Sequence, residues 1–469
     1  MKTDSPFYRL FQAEMKTAAL LEKYCKPGPR YTSYPPAPHF HTGFTDAEWQ
    51  AELEATRNSP RGLSLYVHIP FCDTLCWYCG CNMVATRDYG RAERYLDLLF
   101  REIDHVTELV SPHRLVQQVH WGGGTPTFLR PADIARLFGH LLSGFTLAEN
   151  AEIGCEADPR ELTQEHVQTL KNLGFNRISL GVQDLDDRVQ QAVNRVQPEP
   201  LIREVYGWTR EAGFESVNLD LMVGLPHQTV ESFARTLETI IGLRPDRLAV
   251  FNYAHVPWMK RHQKLIAESD LPDFHTRIAL QELIFRRLSE AGYVYIGMDH
   301  FALPGDELVL ARRNKTLYRN FQGYTTHKDC DILAFGASAI SQTEDTYAQN
   351  LKKLAEYRDR IRAGRLATER GIRIGREDKL CRDAITRIMC DLELDTAAFA
   401  RDWGIDVDAY FGCRGELQAM ADDGLLSLEG DRVRVTDAGR LFLRNIAMLF
   451  DVRLRQPDDG EAPRYSRTV

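Results

Sequence analysis

The sequence has no run approaching 18 apolar residues, and its opening segment MKTDSPFYRLFQAEMKTAALLEKY lacks the uninterrupted apolar core and small-residue cleavage site of a secretory signal. The first absence excludes a transmembrane helix; the second sets the expectation of a soluble cytoplasmic protein. A basic excess is missing as well. With 58 Lys and Arg against 66 Asp and Glu, the net charge of −8 leaves no electrostatic footprint for nucleic acid or an anionic membrane. Cysteine is sparse outside one place: of ten Cys, four fall within residues 72–81 and six are scattered through the rest of the 469 residues. Thiols in a reducing compartment stay free, so this crowding points to a metal or cluster site rather than a disulfide framework.

Hydrophobic residues make up 43% of the chain, enough for one large domain with appendages or for two to three domains. After Arg61, short apolar runs alternate with amphipathic segments. LSLYVHI (63–69), LVQQVHW (115–121), AEIGCEA (151–157), RISLGV (177–182), SVNLDLMVG (216–224) and RLAVFNY (247–253) read as six core strands, with YVYIGM (293–298) a candidate seventh. Residues 93–110, 131–145, 163–174 and 230–243 repeat apolar residues at intervals of three and four, as helices do. Six βα units in one run predict a complete or partial barrel, with chemistry at the C-terminal ends of its strands.

The expected organisation is an N-terminal arm over 1–61, a barrel over 62–355 and a mostly helical C-terminal domain over 356–469. KPGPRYTSYPPAPHFHTGF (26–44) is rich in Pro and aromatics, which predicts an extended arm packed on the barrel. Near the C-terminus, two short strands around Gly430 and Asp431 predict a hairpin in a winged-helix-like module. Its wing carries no basic surplus, so a packing or lid role is expected rather than DNA binding.

Cys72, Cys76 and Cys79 form C-x3-C-x2-C directly after the first strand. Three thiolates on one loop can take three corners of an iron–sulfur cube and leave the fourth iron open to another molecule. Zinc is the rival, although structural zinc sites usually combine ligand pairs from separate turns. Joint ligation by Cys79 and Cys81 would strain one common metal, so Cys81 is read as a neighbour and not a ligand. The glycines of HWGGGTPT (120–127) let backbone approach a ligand. Glu156, Gln183 and Asp220 stand at later strand ends, and Arg195 follows the fourth strand.

CDTLCWYC resembles the signature of the radical S-adenosylmethionine (SAM) superfamily, which implies an α/β fold with a partial (β/α)6 barrel, a [4Fe-4S] cluster and SAM bound at the open iron. GPRYTSYP (28–35), SLYVHIPFC (64–72), CGCN (79–82), HWGGGTPT, NRISLGVQD (176–184), FNYAH (251–255), GMDHFA (297–302), RNFQGYTT (319–326), SAIS (338–341) and LRNIAMLFD (443–451) resemble, in order, the oxygen-independent coproporphyrinogen III oxidases of haem biosynthesis.

That resemblance implies oxidative decarboxylation of the ring A and B propionates of coproporphyrinogen III to vinyl groups, giving protoporphyrinogen IX through a 5′-deoxyadenosyl radical. It also implies two SAM molecules, with Tyr66, Tyr78, Gly123, Gly124, Thr125, Glu156, Gln183, Arg195, Asp220, Ala254 and Ile340 as their contacts; Ala254 and Ile340 rest on it wholly. An electron donor and an electron acceptor are implied without being identified, and a monomer is expected. Arg30 and Tyr31 of the arm are placed near the porphyrinogen, whose carboxylates suit guanidinium groups. Met83 stands where relatives often carry Lys. A haem chaperone, a haem-modifying radical SAM enzyme and a zinc-binding regulator are the alternatives.

Overall fold

Short Val-, Leu- and Ile-rich runs after Arg61 become parallel strands in the computed structural model, which describes residues 19, 20, 22–455 and 465–468. Two units separate by their internal contacts: Phe40–Asp273 with Asp329–Arg373, and the described residues up to His39 with Phe274–Lys328 and those from Ile374 onward. Residues 1–18, on which the signal-sequence reading and the start of the arm fall, lie outside the described residues.

In the first unit, helix α1 (Asp46–Ala55) precedes β1 (Gly62–Ile69), α2 (Gly90–Leu109), β2 (Val116–Gly123), α3 (Pro131–Gly144), β3 (Leu147–Ala157), α4 (Gln164–Asn172), β4 (Arg177–Gln183), α5 (Asp187–Ala192), α6 (Glu199–Glu211), β5 (Ser216–Val223), α7 (Val230–Leu243) and β6 (Arg247–Asn252). Each of β1 to β5 pairs in parallel with the next. Six of the eight residues of β1 are buried, the near-continuous burial of a strand covered on both faces. Thr163 and Thr229 cap α4 and α7 through capping boxes, and Pro131 opens α3, so the helix starts are locally encoded.

On the other side of β1, β7 (Cys330–Phe335) adds in parallel. Then β8 (Ile340–Gln342), β9 (Thr346–Asn350) and β10 (Thr368–Arg373) continue antiparallel, with α8 (Leu354–Arg362) between the last two. The unit is a partial (β/α)6 barrel extended along one edge. Glu102 of α2, 3% exposed, ties this extension in: it accepts from the Gly336 amide (2.7 Å), Asn350 Nδ2 (2.7 Å) and the Tyr357 hydroxyl (2.6 Å). Burial nevertheless pushes its carboxyl up to about 7.

The second unit is smaller and mostly helical, with helices Phe274–Glu290, Arg376–Thr386, Thr396–Trp403 and Arg414–Asp422. The hairpin expected at Gly430 and Asp431 is present as Leu426–Glu429 and Arg432–Val435, joined by Glu393–Asp395 into a three-stranded sheet. The candidate seventh strand, Val294–Gly297, pairs in this unit with His300–Ala302.

The segment read as an extended arm is divided. Residues up to His39 belong with the C-terminal segment, where the Tyr31 and Tyr34 hydroxyls each donate to Asp451 at 2.9 Å and Arg444 Nε donates to the Pro29 carbonyl at 3.0 Å. Residues from Phe40 belong with the barrel and include α1, whose Thr45–Glu48 capping box nucleates it. Among the described residues no helix is long and apolar enough to cross a membrane.

Candidate active site

The C-terminal end of β1 runs directly into the cysteine loop. A two-residue parallel pairing of Phe71–Cys72 with Val84–Ala85 closes the base of that loop, with the Val84 amide donating to the Pro70 carbonyl (2.7 Å) and the Thr86 amide to the Cys72 carbonyl (2.9 Å). Side chains from other strand ends hold the rest. Asn194 Nδ2 donates to the Leu75 carbonyl (2.8 Å), Gln263 Nε2 to the Tyr78 carbonyl (2.9 Å), His262 Nε2 to the Cys79 carbonyl (2.7 Å) and Lys260 Nζ to the Cys81 carbonyl (2.9 Å). The Asp73 amide donates to Glu161 Oε1 at 3.0 Å.

All four cysteines are free; Cys72 and Cys76 are buried, Cys79 is half-buried and Cys81 exposed. Each of the first three has its own polar neighbour. Cys72 Sγ lies 3.4 Å from Thr125 Oγ1. Cys76 Sγ accepts from Arg160 Nη2 (3.3 Å) and Arg195 Nη1 (3.4 Å), and Asp158 Oδ2 binds both guanidinium groups, at 2.6 and 2.7 Å. Burial opposes the charge of Asp158, but its two arginines win and hold the carboxyl at about 2. Cys79 drops to about 6 because the Cys81 thiol donates to it, with Lys260 and His262 adding positive charge, whereas burial pushes Cys72 up to about 12.

The remaining sequence-predicted residues come from successive strand ends. Gly123 closes β2 at φ +119°, and a Cβ there would stand 2.7 Å from the His68 imidazole. Its amide lies 3.3 Å from Glu156 Oε2, and His120 Nε2 lies 3.3 Å from Glu156 Oε1. A Cβ on Gly124 would meet the Phe71 carbonyl at 2.7 Å, so β2 closes directly onto the base of the cysteine loop. Tyr66 stacks on His120 at 6.1 Å, and its hydroxyl lies 3.1 Å from His68 Nδ1; His68 Nε2 faces the Asn82 carbonyl at 2.9 Å. A donating Nε2 leaves Nδ1 to accept from Tyr66.

Gln183 ends β4 at φ +68°, and among the described residues its buried Oε1 has no hydrogen-bond partner. Arg195 also donates to the Gly181 carbonyl at 2.5 Å. Asp220 on β5 accepts from Asn218 Nδ2 (2.7 Å) and Ser179 Oγ (3.1 Å); burial, then repulsion from Glu156, pushes it up to about 7. Tyr78 is buried beside Val189, Val193, Leu225 and Ile266. Ala254 is exposed on the loop after β6, and Ile340 is half-buried at the start of β8. Those two take no part in the polar network around the cysteines.

Sequence reasoning missed Asp158 and Arg160, although both lie in the same CEADPRE string as Glu156. It also missed Lys260, His262 and Gln263, for which the basic run KRHQK was the available signal. The donor set suits an iron–sulfur cluster: three free thiols on a closed loop, each facing a donor, with buried acceptor and donor atoms at Gln183 Oε1 and Arg195 Nε open to a ligand. Among the described residues no group of three His, Cys, Asp or Glu is placed to hold a single metal ion.

Comparison with known proteins agrees with this geometry. Residues 66–240 match the radical SAM superfamily and residues 374–442 the HemN C-terminal domain. The chain is 47% identical over 453 residues to the oxygen-independent coproporphyrinogen III oxidase of Escherichia coli, covering 96% of this chain and 98% of that one. To the enzyme of the same description from Pseudomonas aeruginosa it is 45% identical, with 96% and 98% covered. The solved structure of coproporphyrinogen III oxidase (HemN) from Escherichia coli, described as a radical SAM enzyme, superposes with a TM-score of 0.88 at 44% identity, covering 93% of this chain and 98% of that chain. With the three-cysteine loop at the mouth of a partial barrel and likeness over nearly its whole length, the chain belongs to the family of oxygen-independent coproporphyrinogen III oxidases, a family of radical SAM enzymes.

Proposed function

We propose that the protein converts coproporphyrinogen III to protoporphyrinogen IX without oxygen, turning the ring A and B propionates into vinyl groups, and that it acts as a cytoplasmic monomer. The observation that carries this reading is the cysteine loop at the end of β1, with Thr125 at Cys72 and an Asp158-anchored pair of arginines at Cys76, in a chain of this family. Cys72, Cys76 and Cys79 would hold a [4Fe-4S] cluster, with Cys81 outside the ligand set.

When bound, the cluster and SAM would supply an electron and a 5′-deoxyadenosyl radical able to take hydrogen from a propionate β-carbon; loss of CO2, with one electron passed to a separate acceptor, would then leave the vinyl group. An unactivated C–H bond offers no acidic proton, so acid–base groups alone would not suffice. The chain's own residues position and protect. The two guanidinium groups donate to Cys76 Sγ, and Gly123 and Gly124, at the end of β2, carry no side chain between their backbone and a methionyl group. Glu156, Gln183 and Asp220 present acceptors suited to an ammonium and ribose hydroxyls, while Tyr66 and Tyr78 offer aromatic surface. Two SAM molecules are proposed, with Ala254 and Ile340 among their contacts.

The test is anaerobic incubation of the reduced, reconstituted protein with SAM and coproporphyrinogen III. Vinyl products, CO2 and 5′-deoxyadenosine are expected; haem binding without turnover would refute the assignment in favour of a carrier.

A further inference from the structure

The three most exposed large hydrophobic side chains among the described residues fall within one short stretch: Trp258 (63%), Met259 (66%) and Leu265 (59%). Scattered exposed apolar residues are ordinary, but a cluster with a polar rim marks a contact surface. Here the charged residues within the stretch are basic, with exposed Glu268 and Asp270 just beyond it. WMKRHQKL (258–265) carries Lys260, Arg261 and Lys264 and no acidic residue, on a chain whose net charge is −8. Arg261 and Lys264 are exposed, while Gln263 is 1% exposed and Ile266 3%. The stretch therefore has an inner and an outer face.

The inner face is the strap that binds the cysteine loop. Lys260, His262 and Gln263 donate to the carbonyls of Cys81, Cys79 and Tyr78. The outer face thus lies one layer of side chains from the backbone of Cys79.

We propose that this outer face docks a small acidic one-electron carrier protein, which delivers the electron to the cluster through the strap. The inference rests on the proposed function, since only a cluster-dependent radical reaction needs an electron from outside. Exposed Trp and Met surrounded by Arg and Lys have the composition of a contact centre. The positive charges of the stretch would steer an acidic partner and oppose a basic one.

The experiment uses reconstituted full-length protein and reduced flavodoxin as the probe. Cluster reduction is followed by anaerobic stopped flow for wild type, for Arg261→Glu/Lys264→Glu and for Trp258→Ser/Leu265→Ser, with dithionite as the small-molecule comparison. The second-order rate with flavodoxin should fall about tenfold or more in both variants, and the salt dependence should flatten in the charge-reversed one. Reduction by dithionite and dithionite-driven turnover should stay at wild-type values.

Unchanged flavodoxin rates, or no reduction of the wild type by flavodoxin, would overturn the docking surface. So would a raised KM for coproporphyrinogen III under dithionite, which would assign the patch to the tetracarboxylate substrate. A wild type that accepts electrons from flavodoxin yet forms no vinyl product with dithionite would sink the proposed function and leave the docking surface standing.

Discussion

Replacing Arg160 by Gln removes one of the two guanidinium charges that Asp158 aims at Cys76. The Arg160 side chain is 15% exposed and that of Asp158 5%, so solvent screens the pair little. An electron added to a cluster on Cys72, Cys76 and Cys79 would spread over atoms beyond the sulfur, ~8 Å from the guanidinium. At an effective dielectric constant of ~20, the attraction at that distance is ~2 kcal/mol. For a one-electron couple, with tenfold equal to ~59 mV, this corresponds to ~90 mV. The cation stabilises the more negative, reduced form, so its loss lowers the midpoint potential. Because the Gln amide can restore part of the N–H···S contact, a fall of roughly 50–90 mV is expected. An EPR-monitored redox titration measures it, with iron content as the control. A midpoint within ~20 mV of wild type at full iron loading would show that Arg160 only braces Asp158.

Cys72→Ala, Cys76→Ala and Cys79→Ala should each abolish iron binding and turnover, whereas Cys81→Ala should keep its iron; equal iron loss in all four would refute a three-ligand loop. Gly124→Ala places a Cβ 2.7 Å from the Phe71 carbonyl oxygen and 2.9 Å from the Pro70 carbonyl carbon, backbone that cannot swing aside. A stability loss of ~1–3 kcal/mol, read in urea on the apoprotein, is expected, and wild-type stability would contradict it. Glu102, held at about 7 by burial against an ordinary value of 4.5, takes up a proton on folding. Its contribution is complete below about 4.5 and is lost as pH rises through 7, to an upper bound of ~3 kcal/mol, and Glu102→Gln should flatten that decline. Urea unfolding at intervals between pH 5 and 8 tests this, and a wild type with no Glu102-dependent slope would refute the assignment.

The barrel strands were legible because buried apolar residues recur along short runs between helical segments. VQQVHW and SVNLDLMV lie within observed strands, the latter burying Val217, Leu219, Leu221 and Val223 at every second position. The cysteine loop was legible because Cys72, Cys76 and Cys79, the proposed cluster ligands, fall within one short loop. Helix α1 was less visible, since the Pro-rich composition of 26–44 dominated the reading, although the Thr45–Glu48 capping box was present in the letters. The division of the arm at His39 was not written locally at all. It depends on Tyr31 and Tyr34 finding Asp451, some 420 residues later.

The polar environment of the site follows the same logic. Cys76 takes its donors from Arg160 and Arg195, which are 84 and 119 residues away, and Cys79 is held by His262 at a separation of 183. No spacing rule connects such positions, because their meeting depends on how the barrel closes. A sequence motif can therefore report which atoms would bind a cluster while remaining silent on the charges that would set its potential. In CEADPRE, the string reading selected Glu156 for its place at a strand end, yet Arg160, four residues on, is the one that reaches Cys76, held there by Asp158. Residues beyond the last strand position turn across the barrel mouth toward the neighbouring loop, so the search for such groups should extend past the strand end.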